Sequence, residues 1–212
     1  MPKTCDHSAF EVKLLLRRRL RDGVEPDAIV DFYAGEGRLL LAHAGGFARG
    51  RAIERDPGRA ERLRRRLAAA GLLRVEVFTG DNRALAVRVL DGFAPTFLDF
   101  DAFGNPHPFI RDFFKGFEVR RKIAVAVTDG SRIQIARADR VRLCGWRARP
   151  GPADENPAAN HPLLRSGHEL LVRAFWDRLA ADRGFKVIDF FGVWPRGRRV
   201  FYYGLWIEPA HQ

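Results

Sequence analysis

The stretch that most narrows the fold is Ala28-Ile29-Val30-Asp31-Phe32-Tyr33-Ala34-Gly35-Glu36-Gly37-Arg38. A run of branched apolar residues that closes on an acid, then two glycines one residue apart, predicts a buried strand turning sharply into a helix. Such a turn sets backbone N–H groups and a helix N-terminus against whatever lies over it. Glycine suits the turn because a Cβ would block a ligand lying on the backbone. Three later segments follow the same plan of a strand leading to an acid: Ala48–Glu54, Val75–Phe78 before Gly80-Asp81-Asn82, and Pro95–Phe100 with Asp99 and Asp101.

The remaining segments fit around these. Ser8-Ala9-Phe10-Glu11 is a capping box for a helix over residues 1–24 that ends at Gly23, with Leu14, Leu15, Leu16 and Leu20 as its apolar side. Arg17, Arg18, Arg19 and Arg21 are expected on its solvated back. Asp56-Pro57 pairs an N-cap with a first-turn proline, opening a helix to Gly71 whose Ala60, Leu63 and Leu67 face inward. Lys122–Val127 reads as a strand buried on both faces. Residues 129–162 break the rhythm as a basic insertion rich in arginine and proline, within which Arg132, Arg137, Arg142 and Trp146 are the candidate substrate contacts. Ser166-Gly167-His168-Glu169 is a second capping box, and 185–193 with 199–207 form a closing antiparallel hairpin. The expected architecture is one α/β domain over 1–212, a Rossmann-like, mostly parallel seven-stranded sheet with helices on both faces.

Charge bears on the partner. Of 37 basic residues only Lys3, Lys13, Lys115, Lys122 and Lys186 are lysines, and the net charge is +11. Arginine stays charged and grips phosphate in a bidentate fork, so RNA is the expected partner, with DNA as the alternative. A GC-rich genome would explain arginine over lysine, but not the excess over 26 acids. No apolar run approaches the ~20 residues that cross a membrane, and the N-terminus lacks a signal-peptide layout. Cys5 and Cys144 make neither a disulfide framework nor a zinc site, so a reduced cytoplasmic protein is expected. His7, His43, His107, His161, His168 and His211 show no metal-ligand spacing, and most are expected at the surface or at caps.

In a sheet of this kind, acids at the carboxyl ends of the strands converge on one crevice. The order Asp-x-x-x-Gly-x-Gly, Glu-x-Asp-Pro, Gly-Asp-Asn, then an acid with an aromatic, resembles the class I S-adenosylmethionine-dependent methyltransferases across residues 25–130 and 185–207. The resemblance implies S-adenosylmethionine as cofactor, with S-adenosylhomocysteine as product. Asp31, Tyr33, Gly35 and Gly37 would surround its methionine end, Glu54 its ribose hydroxyls, Asp81 and Asn82 its adenine, with Asp99 beside them. A nicotinamide enzyme would want a third glycine at position 40, which is Leu.

Leu98-Asp99-Phe100-Asp101-Ala102-Phe103-Gly104-Asn105-Pro106 resembles the Asp-Pro-Phe-Gly-Ser-Pro loop of tRNA guanine-N2 dimethyltransferases, and Thr128-Asp129 resembles their Thr-Asp. The resemblance implies methyl transfer to an exocyclic base amine. The Asp101 carboxylate and Ala102 carbonyl would accept its N–H groups, and Phe103 would stack on the base. Ala102 stands where that family has proline, and no counterpart of its C-terminal tRNA-holding domain follows residue 207. The short bacterial three-Cys-motif partner proteins carry a similar pair of motifs. DNA, protein or small-molecule methylation, and nucleic-acid binding without methyl transfer, are the other readings.

Overall fold

The computed structural model describes residues 8–131, 141–143, 146–148, 162–195 and 200–210. The order is α1 (Ser8–Asp22), β1 (Ala28–Asp31), α2 (Arg38–His43), β2 (Arg49–Glu54), α3 (Pro57–Ala69), β3 (Val75–Thr79), α4 (Asn82–Leu90), β4 (Phe97–Phe100), α5 (His107–Gly116), β5 (Ile123–Asp129), β6 (Val141–Leu143), β7 (Trp146–Ala148), α6 (Pro162–Arg183), β8 (Phe185–Val193) and β9 (Phe201–Pro209). Seven strands form one sheet in the order β3-β2-β1-β4-β5-β9-β8, while β6 and β7 pair separately. β1 to β5 run parallel and β9 runs antiparallel to both neighbours, so the expected fold class is found.

The chain reverses its direction of travel across the sheet between β1 and β4, which opens a crevice beyond their carboxyl ends. One face is covered by α1, α2 and α3 through Leu16, Leu20, Leu40, Leu63 and Leu67. The opposite face packs α4, α5 and α6 through Val89, Phe113, Phe114 and Trp176. Beside the crevice Phe32 stacks on Phe100, with ring centres 4.8 Å apart. These rings follow directly from the apolar ends of β1 and β4, and they give the crevice a rigid floor.

Three expectations are corrected. Arg17 is not on the solvated back of α1 but wholly buried. The helix packs through Ala9, Leu14, Leu16, Arg17 and Leu20, and Leu15 is the leucine left in water. α6 begins at Pro162, not at the Ser166 capping box, so that box lies inside the helix. A proline loses nothing at a helix start, where its missing N–H has no intrahelical partner. His43, His107 and His168 are buried, not surface or capping residues. His7, His161 and His211 lie outside the described residues.

Candidate active site

A cleft of about 850 Å³ opens at the carboxyl ends of β1, β2 and β4, lined by Tyr33, Gly35, Glu54, Asp81, Asn82, Asp101 and Phe103 among others. Seven of the residues singled out from the sequence therefore meet in one cavity. Asp31, Gly37, Asp99 and Ala102 do not line it. Arg132 and Arg137 lie outside the described residues, and Arg142 and Trp146 sit on the β6–β7 pair.

One end of the cleft is built by turns. Gly35 has φ 55°, and a Cβ built on it would meet no protein atom within 4 Å, so the space over that backbone belongs to the cleft. Gly37 serves packing instead: its Cβ would fall 2.2 Å from Leu63 Cδ1. Glu54 Oε1 accepts from the Asp56 N–H at 2.8 Å, leaving Oε2 for a ligand. Asp56 in turn caps α3 by accepting from the Arg59 N–H at 2.7 Å. Asp81 caps α4 through the Arg83 N–H at 2.9 Å. Asn82 Oδ1 is shielded from solvent and has no hydrogen-bond partner among the described residues. Burial pushes the Tyr33 hydroxyl above its ordinary range, against the opposing hydrogen bond with Asn82.

The other end is held by α1. Lys13 Nζ reaches Asp101 Oδ1 at 2.5 Å, and the Thr128 hydroxyl donates to the same oxygen. No hydrogen bond engages Oδ2 among the described residues. Burial raises the Asp101 carboxyl, but the charges of Lys13 and Arg17 outweigh it and hold the group below the ordinary carboxylate range. One turn further along α1, Arg17 donates to both oxygens of Asp99, at 2.6 and 2.7 Å, with both side chains at 0% exposure. Asp31 lies beside Asp99 in the β1–β4 register and accepts from the Tyr33 N–H at 3.0 Å. Burial, then the Asp99 charge, pushes its carboxyl well above the ordinary range. Asp31 and Asp99 thus shape the turn from beneath. Lys13 and Arg17 are the functional neighbours that sequence reading missed; their i, i+4 spacing in phase with Leu20 was the available signal.

Phe103 stands at the lip at 105% exposure, with no core contact to hold it there. Behind the lip runs a buried polar chain. Asn105 Oδ1 accepts from the His107 backbone N–H at 3.1 Å and meets His107 Nδ1 at 2.9 Å. His107 Nε2 lies 3.2 Å from the Tyr203 hydroxyl, which accepts from Trp176 Nε1 at 3.2 Å. Asp129 accepts from His168 Nε2 at 2.8 Å and from the Ser131 N–H. Among the described residues no group of His, Cys, Asp and Glu could hold a metal ion, and no helix could cross a membrane.

No family model and no curated protein matches the sequence. The fold does match solved structures. TYW2 of M. jannaschii, in complex with AdoMet, superimposes with TM-score 0.58 at 15% identity, over 97% of this chain and 78% of that one. An O-methyltransferase of Bacillus cereus in complex with SAH gives 0.57 at 18%, over 97% and 83%. A proposed tRNA (m1A22) methyltransferase of Streptococcus pneumoniae gives 0.56 at 11%, over 93% and 70%. The chain therefore has the fold of the class I S-adenosylmethionine-dependent methyltransferases.

Proposed function

We propose that this protein is an S-adenosylmethionine-dependent methyltransferase acting on an exocyclic amino group of a nucleobase in RNA, with guanine N2 of a tRNA-like substrate as its most specific form. The observation that carries the reading is the single cleft. It joins a glycine turn, a ribose-type carboxylate and an unsatisfied amide to an ionised acid and an idle aromatic ring. The cofactor fits these residues: the space over Gly35 is open, Glu54 has an oxygen to spare, and the buried Asn82 Oδ1 lacks a donor of the kind an adenine amino group presents.

S-Adenosylmethionine supplies an electrophilic methyl group. The chain's own residues would do the rest. Asp101 Oδ2 accepts a substrate N–H, which turns the nitrogen lone pair toward the methyl. The exposed Phe103 face stacks on the base, a contact worth about 1–3 kcal/mol in comparable sites, and the base must be unpaired to reach it. RNA is favoured because Arg55, Arg59 and Arg83 line the cleft without an ion-pair partner among the described residues, within a chain of net charge +11.

The test is calorimetric titration with S-adenosylhomocysteine, wild type beside Glu54→Gln, followed by tritiated methyl transfer to unfractionated tRNA. Saturable binding weakened at least tenfold by the substitution, and label appearing in RNA, are expected. A folded wild type that does not bind S-adenosylhomocysteine refutes the cofactor; label in protein alone refutes the substrate.

A further inference from the structure

The polarity of the buried chain behind the cleft can be worked out atom by atom. The His107 backbone N–H can only donate, so the Asn105 atom it meets at 3.1 Å is the carbonyl oxygen. The same oxygen lies 2.9 Å from His107 Nδ1, which must therefore carry a proton. Burial holds His107 below its ordinary range, against the attraction of Asp129, so the ring is neutral and Nε2 is an acceptor. Nε2 then accepts from the Tyr203 hydroxyl at 3.2 Å. The Tyr203 hydroxyl accepts in turn from the Trp176 indole N–H at 3.2 Å. The His107 backbone N–H is a donor-only group, so the orientation of the Asn105 amide is fixed and not free to flip.

Asn105 lines the cleft, and its oxygen is turned back onto His107. Its amide N–H groups are what it offers outward. Four residues earlier Asp101 offers the opposite: Lys13 and Thr128 occupy Oδ1, and Oδ2 remains as an acceptor. We propose that Asn105 is a specificity-determining residue. It donates to a ring acceptor next to the amino group that Asp101 receives, so that the cleft selects bases with an amino–imine edge. Cytosine has that edge at N4 and N3, adenine at N6 and N1, guanine at N2 and N3. Uracil, with a carbonyl and an N–H in those places, presents the reverse pattern to both side chains. His107 and Tyr203 are positioning residues that act through Asn105. The inference rests on the base-amine reading of the cleft and narrows it.

The experiment has two arms. Two-dimensional ¹⁵N NMR of the imidazole rings in the wild-type protein reads the His107 tautomer, and the Nδ1–H form is expected; the Nε2–H form overturns the locked orientation. Cytidine and uridine are then titrated at millimolar concentration into wild type and Asn105→Asp, with and without saturating S-adenosylhomocysteine. Wild type should bind cytidine at least tenfold tighter than uridine. Asn105→Asp keeps the oxygen that holds His107 but loses the outward donor, so the ratio should fall toward one. A wild type that binds neither nucleoside, or binds both alike, overturns the proposal, as does a variant that keeps the preference. If S-adenosylhomocysteine does not bind while the cytidine preference and its loss are seen, the cofactor reading fails and this one stands.

Discussion

Replacing Arg17 with Met removes the guanidinium from a site where nothing can substitute for it. Both partners of the Arg17–Asp99 pair are at 0% exposure, and the two hydrogen bonds measure 2.6 and 2.7 Å. Water cannot reach Asp99 to solvate it, and the nearest other charged neighbour in register is the acid Asp31. Deleting one member of such a pair costs about 3–5 kcal/mol, because the partner charge stays buried and unpaired. For a domain of this size that is a fall in Tm of roughly 6–20 °C. Asp31 supplies the sign with pH. Its carboxyl is already raised by burial and Asp99, and Arg17 opposes that shift. In Arg17→Met it rises further. A carboxyl raised on folding contributes stability that is present below its unfolded value near ~4 and lost as pH rises through the folded one. The deficit is therefore larger at high pH than at low pH. Urea unfolding followed by tryptophan fluorescence measures it, and Arg17→Met with Asp99→Val, which removes both charges, should recover most of the loss. A cost under about 1 kcal/mol at pH 7, or an equal cost at high and low pH, would refute the reasoning.

Two further outcomes separate binding from folding. Gly35→Ala should lose at least tenfold in S-adenosylhomocysteine affinity and only about 1–2 kcal/mol of stability, the cost of its left-handed backbone alone. Gly37→Ala adds a 2.2 Å contact with Leu63, so it should lose about 2–5 kcal/mol; the reverse ranking in urea melts would contradict the assignment of the two glycines. Burial pushes His43 down to about 4, against the attraction of Asp99. It is neutral when folded, so its contribution is fully present above the unfolded value near ~6.5 and lost as pH falls toward the folded one, roughly 3 kcal/mol over that span. His43→Leu should flatten this acid limb of the stability profile, and an unchanged limb would exclude His43 as its source.

The sheet and the first half of the cleft were legible because local patterns specify them. Branched strands, the Asp56-Pro57 cap and the Gly35 turn each act over a few residues, and they fix where Glu54, Asp81 and Asn82 emerge. In the second half Asp101 and Phe103 were legible from their loop, but the helix that holds Asp101 was not. A helix with leucines at 14, 15, 16 and 20 leaves the phase of its buried stripe open by about one residue. Whether Arg17 is solvated or buried turns on that phase. Burying it becomes tolerable only because Asp99, 82 residues away, completes the pair. The chain from Asn105 through His107 and Tyr203 to Trp176 joins positions up to 96 residues apart, and no local spacing marks it. The start of α6 was misplaced because Pro162, a good first-turn residue, opens the helix one turn before the local cap at Ser166.

The grip of α1 on β4 also sets an order of assembly. α1 is made first, yet its cationic stripe finds Asp99 and Asp101 only after more than eighty further residues. Its carboxyl end is then sealed by Trp206, whose indole donates to the Leu20 carbonyl across 186 positions. Contacts of such separation form late, since their loop-closure entropy must be met before they contribute. The Asp101 end of the cleft therefore needs contacts of longer sequence separation than the glycine-turn end. During synthesis, the glycine turn and its acids can close before the group that would use them is in place.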